Sequence, residues 1–195
     1  MTLVLLDTNA YLRLAKRVRP MLGIKFGQKE YVLTILKITE DEVHKSSRLR
    51  YKFPWFDNPE LAAERLAKQV RLKPDEKQLI DITQGIFRRH VVENAANYKT
   101  PPSPADCYIL AFGQVRPAIV VTDDLSMHTL AKEFELDKSI WHGYEPLHKM
   151  LSGKQINKQL VVEVYEALEN NGDLPKTWHD AKHTAFKKIF GSKPN

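Results

Sequence analysis

The chain has 195 residues, 43% hydrophobic and 28% charged, the composition of one globular domain with a real core, or of one domain with an appendage. Its formal net charge is +6 and its pI about 9.3, which favours a polyanionic partner. The single cysteine, Cys107, excludes an internal disulfide and points to a reducing compartment. No run approaches the ~18 apolar residues of a membrane span.

Leu3 to Leu6 form an apolar run that ends at Asp7, Thr8 and Asn9. A bounded run of this length reads as a strand buried on both faces. A carboxylate is therefore expected at the carboxyl end of a central strand, where open parallel sheets bind ligands. A strand starting at residue 2 or 3 leaves no room for a signal peptide, so a soluble, cytoplasmic protein without a membrane partner is expected. A short helix is predicted over 9–18, with Arg13, Lys16 and Arg17 on its polar side, and 21–30 reads as loop. Tyr31 to Ile38 is the second strand candidate. Thr39-Glu40-Asp41-Glu42 then starts a helix that leads on to Lys45 and Arg48.

Asn58-Pro59 is an N-cap and N1 pair ahead of a helix that reaches Leu72, and Pro74 restarts one that ends near Tyr98. The proline-rich loop 100–104 breaks the chain. Ser103-Pro104-Ala105-Asp106 opens a helix to about Val115, and Ala118 to Val121 is the third strand, closed by Thr122-Asp123-Asp124. Leu125 to Phe134 reads as helix and Ser139 to His142 as a short last strand. This alternation is an α/β pattern with a mainly parallel sheet. Beyond residue 150 the sequence predicts only amphipathic helices, over Lys154 to Glu169 and over Pro175 to Phe190. Residues 1–150 thus form one unit and 151–195 a basic helical extension.

Four places put acids at strand exits or helix starts: Asp7, the Glu40-Asp41-Glu42 cluster, Asp106 and Asp123-Asp124. Carboxyl ends of parallel strands share one sheet edge, so these acids can converge. Each also has a purely structural reading. Ser103-x-x-Asp106 and Thr39-x-x-Glu42 are capping-box patterns, and Asp7, Asp123 or Asp124 can be N-caps. Two carboxylates ~4 Å apart repel by about 4 kcal/mol at an effective dielectric near 20, so a shared acidic site holds protons or recruits a cation. All-oxygen ligands suit Mg²⁺ or Mn²⁺, and such an ion points to phosphate chemistry. His179 and His183 stand at i, i+4 without a metalloprotease glutamate and read as helix surface.

Leu-Leu-Asp7-Thr8-Asn9, an acid after the second strand, Ser103-Pro104-Ala105-Asp106 and Val-Val-Thr122-Asp123-Asp124, in this order and spacing, resemble the PIN domain family of metal-dependent nucleases. The resemblance covers residues 2 to about 150. It implies a Rossmann-like three-layer α/β sandwich with a mainly parallel sheet, to which this chain adds its C-terminal helices. It further implies an acidic pocket for Mg²⁺ or Mn²⁺ and endonucleolytic cleavage of single-stranded RNA. Many small members are VapC-type toxins held by an antitoxin protein, so an antitoxin joins RNA among the expected partners; a homodimer is also expected.

Residue by residue, Asp7, Asp106 and Asp124 match family acids, and all three are metal-ligand candidates. Asn9, Ser103, Thr122 and Asp123 would orient them from behind. Glu42, followed by Val43, matches the second catalytic acid, with Glu40 as the alternative. Arg13, Lys16, Arg17, Lys45 and Arg48 are candidates for holding RNA, and Tyr11, Trp55 and Tyr98 for stacking on bases; each also reads as helix surface or core.

No glycine lies between Asp7 and Arg19, which excludes a dinucleotide-binding loop. Asn9 stands where a haloacid-dehalogenase phosphatase needs a second aspartate, and a receiver domain would need paired acids after the first strand. The alternative outside enzymology is a non-catalytic PIN-like module that binds RNA or protein.

Overall fold

A computed structural model describes residues 1–192; residues 193–195 of the helical extension lie outside the described residues. The elements run β1 (Thr2–Leu6), α1 (Thr8–Leu14), β2 (Lys25–Phe26), β3 (Tyr31–Thr34), α2 (Lys37–Lys45), α3 (Ser47–Lys52) and α4 (Pro59–Lys68). They continue as α5 (Pro74–Glu93), α6 (Pro104–Val115), β4 (Ala118–Val121), α7 (Leu125–Glu133), β5 (Ile140–Trp141) and α8 (Tyr144–Ser152). The last helices are α9 (Lys158–Asn170), α10 (Lys176–His183) and α11 (Lys187–Phe190). The chain is α/β, and its five-stranded sheet has the order β2-β3-β1-β4-β5. All pairings are parallel except that of β2 with β3.

Strand alternation divides the core in two. Val4, Leu6, Val121 and Trp141 face one apolar cluster, and Leu5, Val120 and Ile140 face the other. The first cluster takes α1, Val43 of α2, α8, and Val161, Val164, Tyr165, Leu168 and Trp178 from the C-terminal helices. The second takes one face each of α5, α6 and α7. Helices thus cover both faces of the sheet, as in a three-layer α/β fold. No helix among the described residues is long and apolar enough to cross a membrane. Trp178, Val161, Val164 and Tyr165 have no exposed surface, so the C-terminal helices complete the main core.

β1 lies between β3, which follows it in the chain, and β4, which comes much later. The order therefore reverses at β1, and the crevice outside the carboxyl ends of β1 and β4 is the topological switch point where α/β sheets bind ligands. The ladder extends into that crevice: the Asp7 amide donates to the Val121 carbonyl at 3.0 Å and the Thr122 amide to the Trp141 carbonyl at 2.9 Å.

Several boundaries differ from the sequence reading. The expected loop 21–30 contains the edge strand β2, only two residues between Gly23 and Gly27 and too short for any periodicity. The second strand stops at Thr34, whose hydroxyl donates to the Lys68 carbonyl at 3.0 Å. α2 starts at Lys37, so Thr39 lies inside the helix with its side chain buried and caps nothing. The last predicted helix is two, α10 and α11, broken at Thr184.

Candidate active site

Asp7 ends β1 and caps α1: its Oδ1 accepts from the Ala10 amide at 2.6 Å. It is only 5% exposed. Burial pushes its carboxyl up to about 7, against hydrogen bonding from Thr122 and Ala10 and the nearby charge of Arg13. The folded carboxyl keeps its proton until about pH 7, whereas in the unfolded chain it ionises near 3.8. The folded state therefore binds more protons in that window, and burial of Asp7 costs stability as pH rises through it.

Thr122 links Asp7 to the exit of β4. It hydrogen-bonds the Asp7 carboxyl, and its Oγ1 accepts from the Asp124 amide at 3.0 Å. Asp124 caps α7 through Oδ1, which accepts from the Ser126 amide at 2.7 Å. Asp106 and Ser103 form the expected capping box at the start of α6: the Ser103 amide donates to Asp106 Oδ2 at 2.7 Å, and the Asp106 amide to Ser103 Oγ at 3.1 Å.

The capping readings of Asp7, Asp106 and Asp124 are therefore all realised. Burial raises the Asp106 carboxyl, and the charges of Asp124 and Glu42 raise it further. Asp106 thus responds to the charges of two other candidate acids. Thr8, next to Asp7 in the chain, donates its hydroxyl to Glu42 Oε2, and the carboxylate whose charge acts on Asp7 is Asp123. Thr8 was not among the sequence candidates, although it stands inside the Asp7-Thr8-Asn9 signature.

Glu40 and Glu42 go different ways. Glu40 pairs with Arg65 at 2.6 Å and accepts from Gln69 Nε2 at 3.3 Å. Arg65 is 2% exposed, lies 3.8 Å from the Phe56 ring centroid and donates to the Phe56 carbonyl. Glu40 therefore neutralises a buried guanidinium, and Glu42 is the glutamate that turns to Thr8 beside Asp7.

Asp123 is committed to other partners, although its charge acts on Asp7. Oδ2 accepts from Arg13 Nη1 and from Trp178 Nε1, both at 2.9 Å. Oδ1 accepts from the Gly143 amide at 3.0 Å and Thr177 Oγ1 at 3.2 Å. With four donors on its carboxylate, Asp123 fastens α10 to the end of β4. The approach is close: a Cβ at Gly143 would stand 2.5 Å from Asp123 Oδ2 and 3.2 Å from the Trp178 ring, which explains glycine there.

A groove of about 630 Å³ opens beside Asn9, which is exposed on its wall. Arg13, Lys16, Arg17 and Arg48 all line it, and Lys45 does not. Lys52 joins them from α3 and was missed in sequence because nothing in its neighbourhood marks it. Trp55 lines the groove half-buried. Tyr11 and Tyr98 cannot stack on a ligand: Tyr11 is 1% exposed against Arg65, and Tyr98 is 7% exposed and bonded to Glu133. Cys107 is buried, and burial raises its thiol to about 11, so it is held as an inert thiol.

The donor set suits a hard divalent cation, since every candidate ligand is a carboxylate oxygen. Asp106 Oδ1 and Asp124 Oδ2 remain outside the capping bonds. Among the described residues, no three acids, histidines or cysteines stand close enough to chelate an ion without moving.

No family model and no curated protein matches the chain.

Proposed function

We propose that this chain is a Mg²⁺- or Mn²⁺-dependent endoribonuclease of PIN type that hydrolyses phosphodiester bonds in single-stranded RNA. The observation that supports the reading is the position of Asp7 and Asp124 just past the carboxyl ends of β1 and β4, at the switch point of the sheet, with Glu42 bonded to Thr8 beside Asp7 and the charges of Asp124 and Glu42 acting on Asp106. Asp7, Asp106 and Asp124 would hold the cation, with Glu42 closing its shell. The cation, when bound, supplies water activation and neutralises charge gathering on the phosphate.

The chain's own side chains set up that chemistry. The Ala10, Ser103 and Ser126 amides orient the carboxylates of Asp7, Asp106 and Asp124 by donating to one oxygen of each, and Thr8 holds Glu42. Hydrolysis adds water oxygen to phosphorus and breaks the bond to the 3′ oxygen, which leaves with a proton. The products are a 5′-phosphate and a 3′-hydroxyl. The cationic groove beside Asn9 supports a polyanionic substrate. A toxin–antitoxin role, with an antitoxin protein as partner, rests on the resemblance of the Asp7-Thr8-Asn9 and Thr122-Asp123-Asp124 segments alone.

One observation favours a second reading, a binding module without catalysis: the acids do not form a ready chelating group. A single assay separates the two. Purified protein incubated with a labelled single-stranded RNA and Mn²⁺ is expected to yield internal fragments with 5′-phosphates, and none in EDTA. Binding without fragments, from folded protein, selects the second reading.

A further inference from the structure

The groove beside Asn9 has two walls of different origin. One is α1 with α3 and the turn that follows it; the other is the α9–α10 turn, with Leu168, Asn171 and Asp173. The C-terminal helices therefore build one wall of the groove.

Charge in the groove is uneven. Arg13 is bound to Asp123, and Lys52 is bound to Asp173 at 2.5 Å. Among the described residues no carboxylate pairs with Lys16, Arg17 or Arg48. Three cations left without partners in a concave site attract phosphate groups. Trp55 adds an aromatic ring on the same wall, half-exposed and packed edge-on against Phe53 at 6.0 Å. A ring beside unpaired cations suits a base and its phosphate together. The groove volume of about 630 Å³ lies in the range of small-ligand sites, about 300–1,000 Å³.

We propose that this groove is a subsite for single-stranded RNA, with phosphates on Lys16, Arg17 and Arg48, an unpaired base on Trp55, and Asp173 limiting affinity. Asn9 on the groove wall follows Asp7 by two residues, and as a path for the cleaved strand the subsite rests on the nuclease reading; as a binding site it stands apart from it. Asp173 holds Lys52 and places a negative charge where phosphate passes. The C-terminal helices thus both build the site and weaken it.

The test uses the full chain in EDTA and a fluorescent ten-nucleotide RNA, single-stranded or annealed to its complement, followed by anisotropy across salt concentrations. Lys16→Gln/Arg48→Gln is expected to weaken single-strand binding at least about tenfold and to flatten the salt dependence by roughly 1.4 in slope. Trp55→Leu is expected to weaken it about fivefold or more, with circular dichroism confirming the fold. Asp173→Asn is expected to tighten it. Wild-type affinity in the double variant, equal affinity for duplex, or weaker binding by Asp173→Asn overturns the subsite.

Repeating the series with Mn²⁺ separates the two ideas. RNA cut by the groove variants with unchanged KM removes the subsite and leaves the nuclease. RNA bound through the groove and never cut removes the nuclease and leaves the subsite.

Discussion

Asp124→Asn is expected to lower RNA cleavage by roughly a thousandfold or more, the scale on which losing one member of a cooperating catalytic set acts, without changing the melting temperature. The substitution is clean for a structural reason. Asp124 is exposed, and its structural task is to cap α7 by accepting from the Ser126 amide. Asparagine caps equally well through the same oxygen. What it loses is the charge with which, under the proposed function, the other carboxylate oxygen would share a divalent cation with Asp106. Single-turnover cleavage beside thermal melting checks both halves. Unchanged cleavage would mean that Asp124 is a cap and nothing more.

Trp178→Ala carries the largest expected cost in stability, about 3–5 kcal/mol. The side chain has no exposed surface. Its ring packs on Tyr165 at 5.3 Å between centroids, and its indole N–H is one of four donors on Asp123. Removing it opens a cavity in the main core and loosens the buried Asp123 carboxylate. For a chain of this size the midpoint should fall by roughly 2–4 °C per kcal/mol. His179→Ala, one position along on the exposed side of α10, should stay within about 0.5 kcal/mol of the parent. Equal melting of the two variants would contradict a C-terminal region built into the core.

The positions of the acids at strand exits and helix starts were legible in the sequence because chain order constrains them. Parallel strands put their carboxyl ends on one edge, so Asp7 after β1 and Thr122-Asp123-Asp124 after β4 had to approach one another. The Ser103–Asp106 box was equally legible, since capping is local. Other features depend on contacts between distant residues. Glu40 and Glu42 differ only in that Arg65, twenty-five positions from Glu40, sits buried beside the first. Asp123 and Asp124 are adjacent, and only the arrival of Trp178 and Gly143 shows which one turns inward. Thr39 matched a capping box but lies inside α2, because the helix begins earlier, at Lys37. The groove was half legible: the α1 cations appeared as a run, whereas Asn171 and Asp173 join them only through tertiary packing.

The central claim, that these acids gather on one divalent ion, is tested most directly by calorimetric titration of Mn²⁺ into the full chain at pH 6 and pH 8. The account predicts one saturable site per chain, tighter at pH 8 because Asp7 must release the proton it holds up to about 7, and absent from Asp106→Asn/Asp124→Asn. No saturable binding at pH 8, or binding that survives in the double variant, would contradict it.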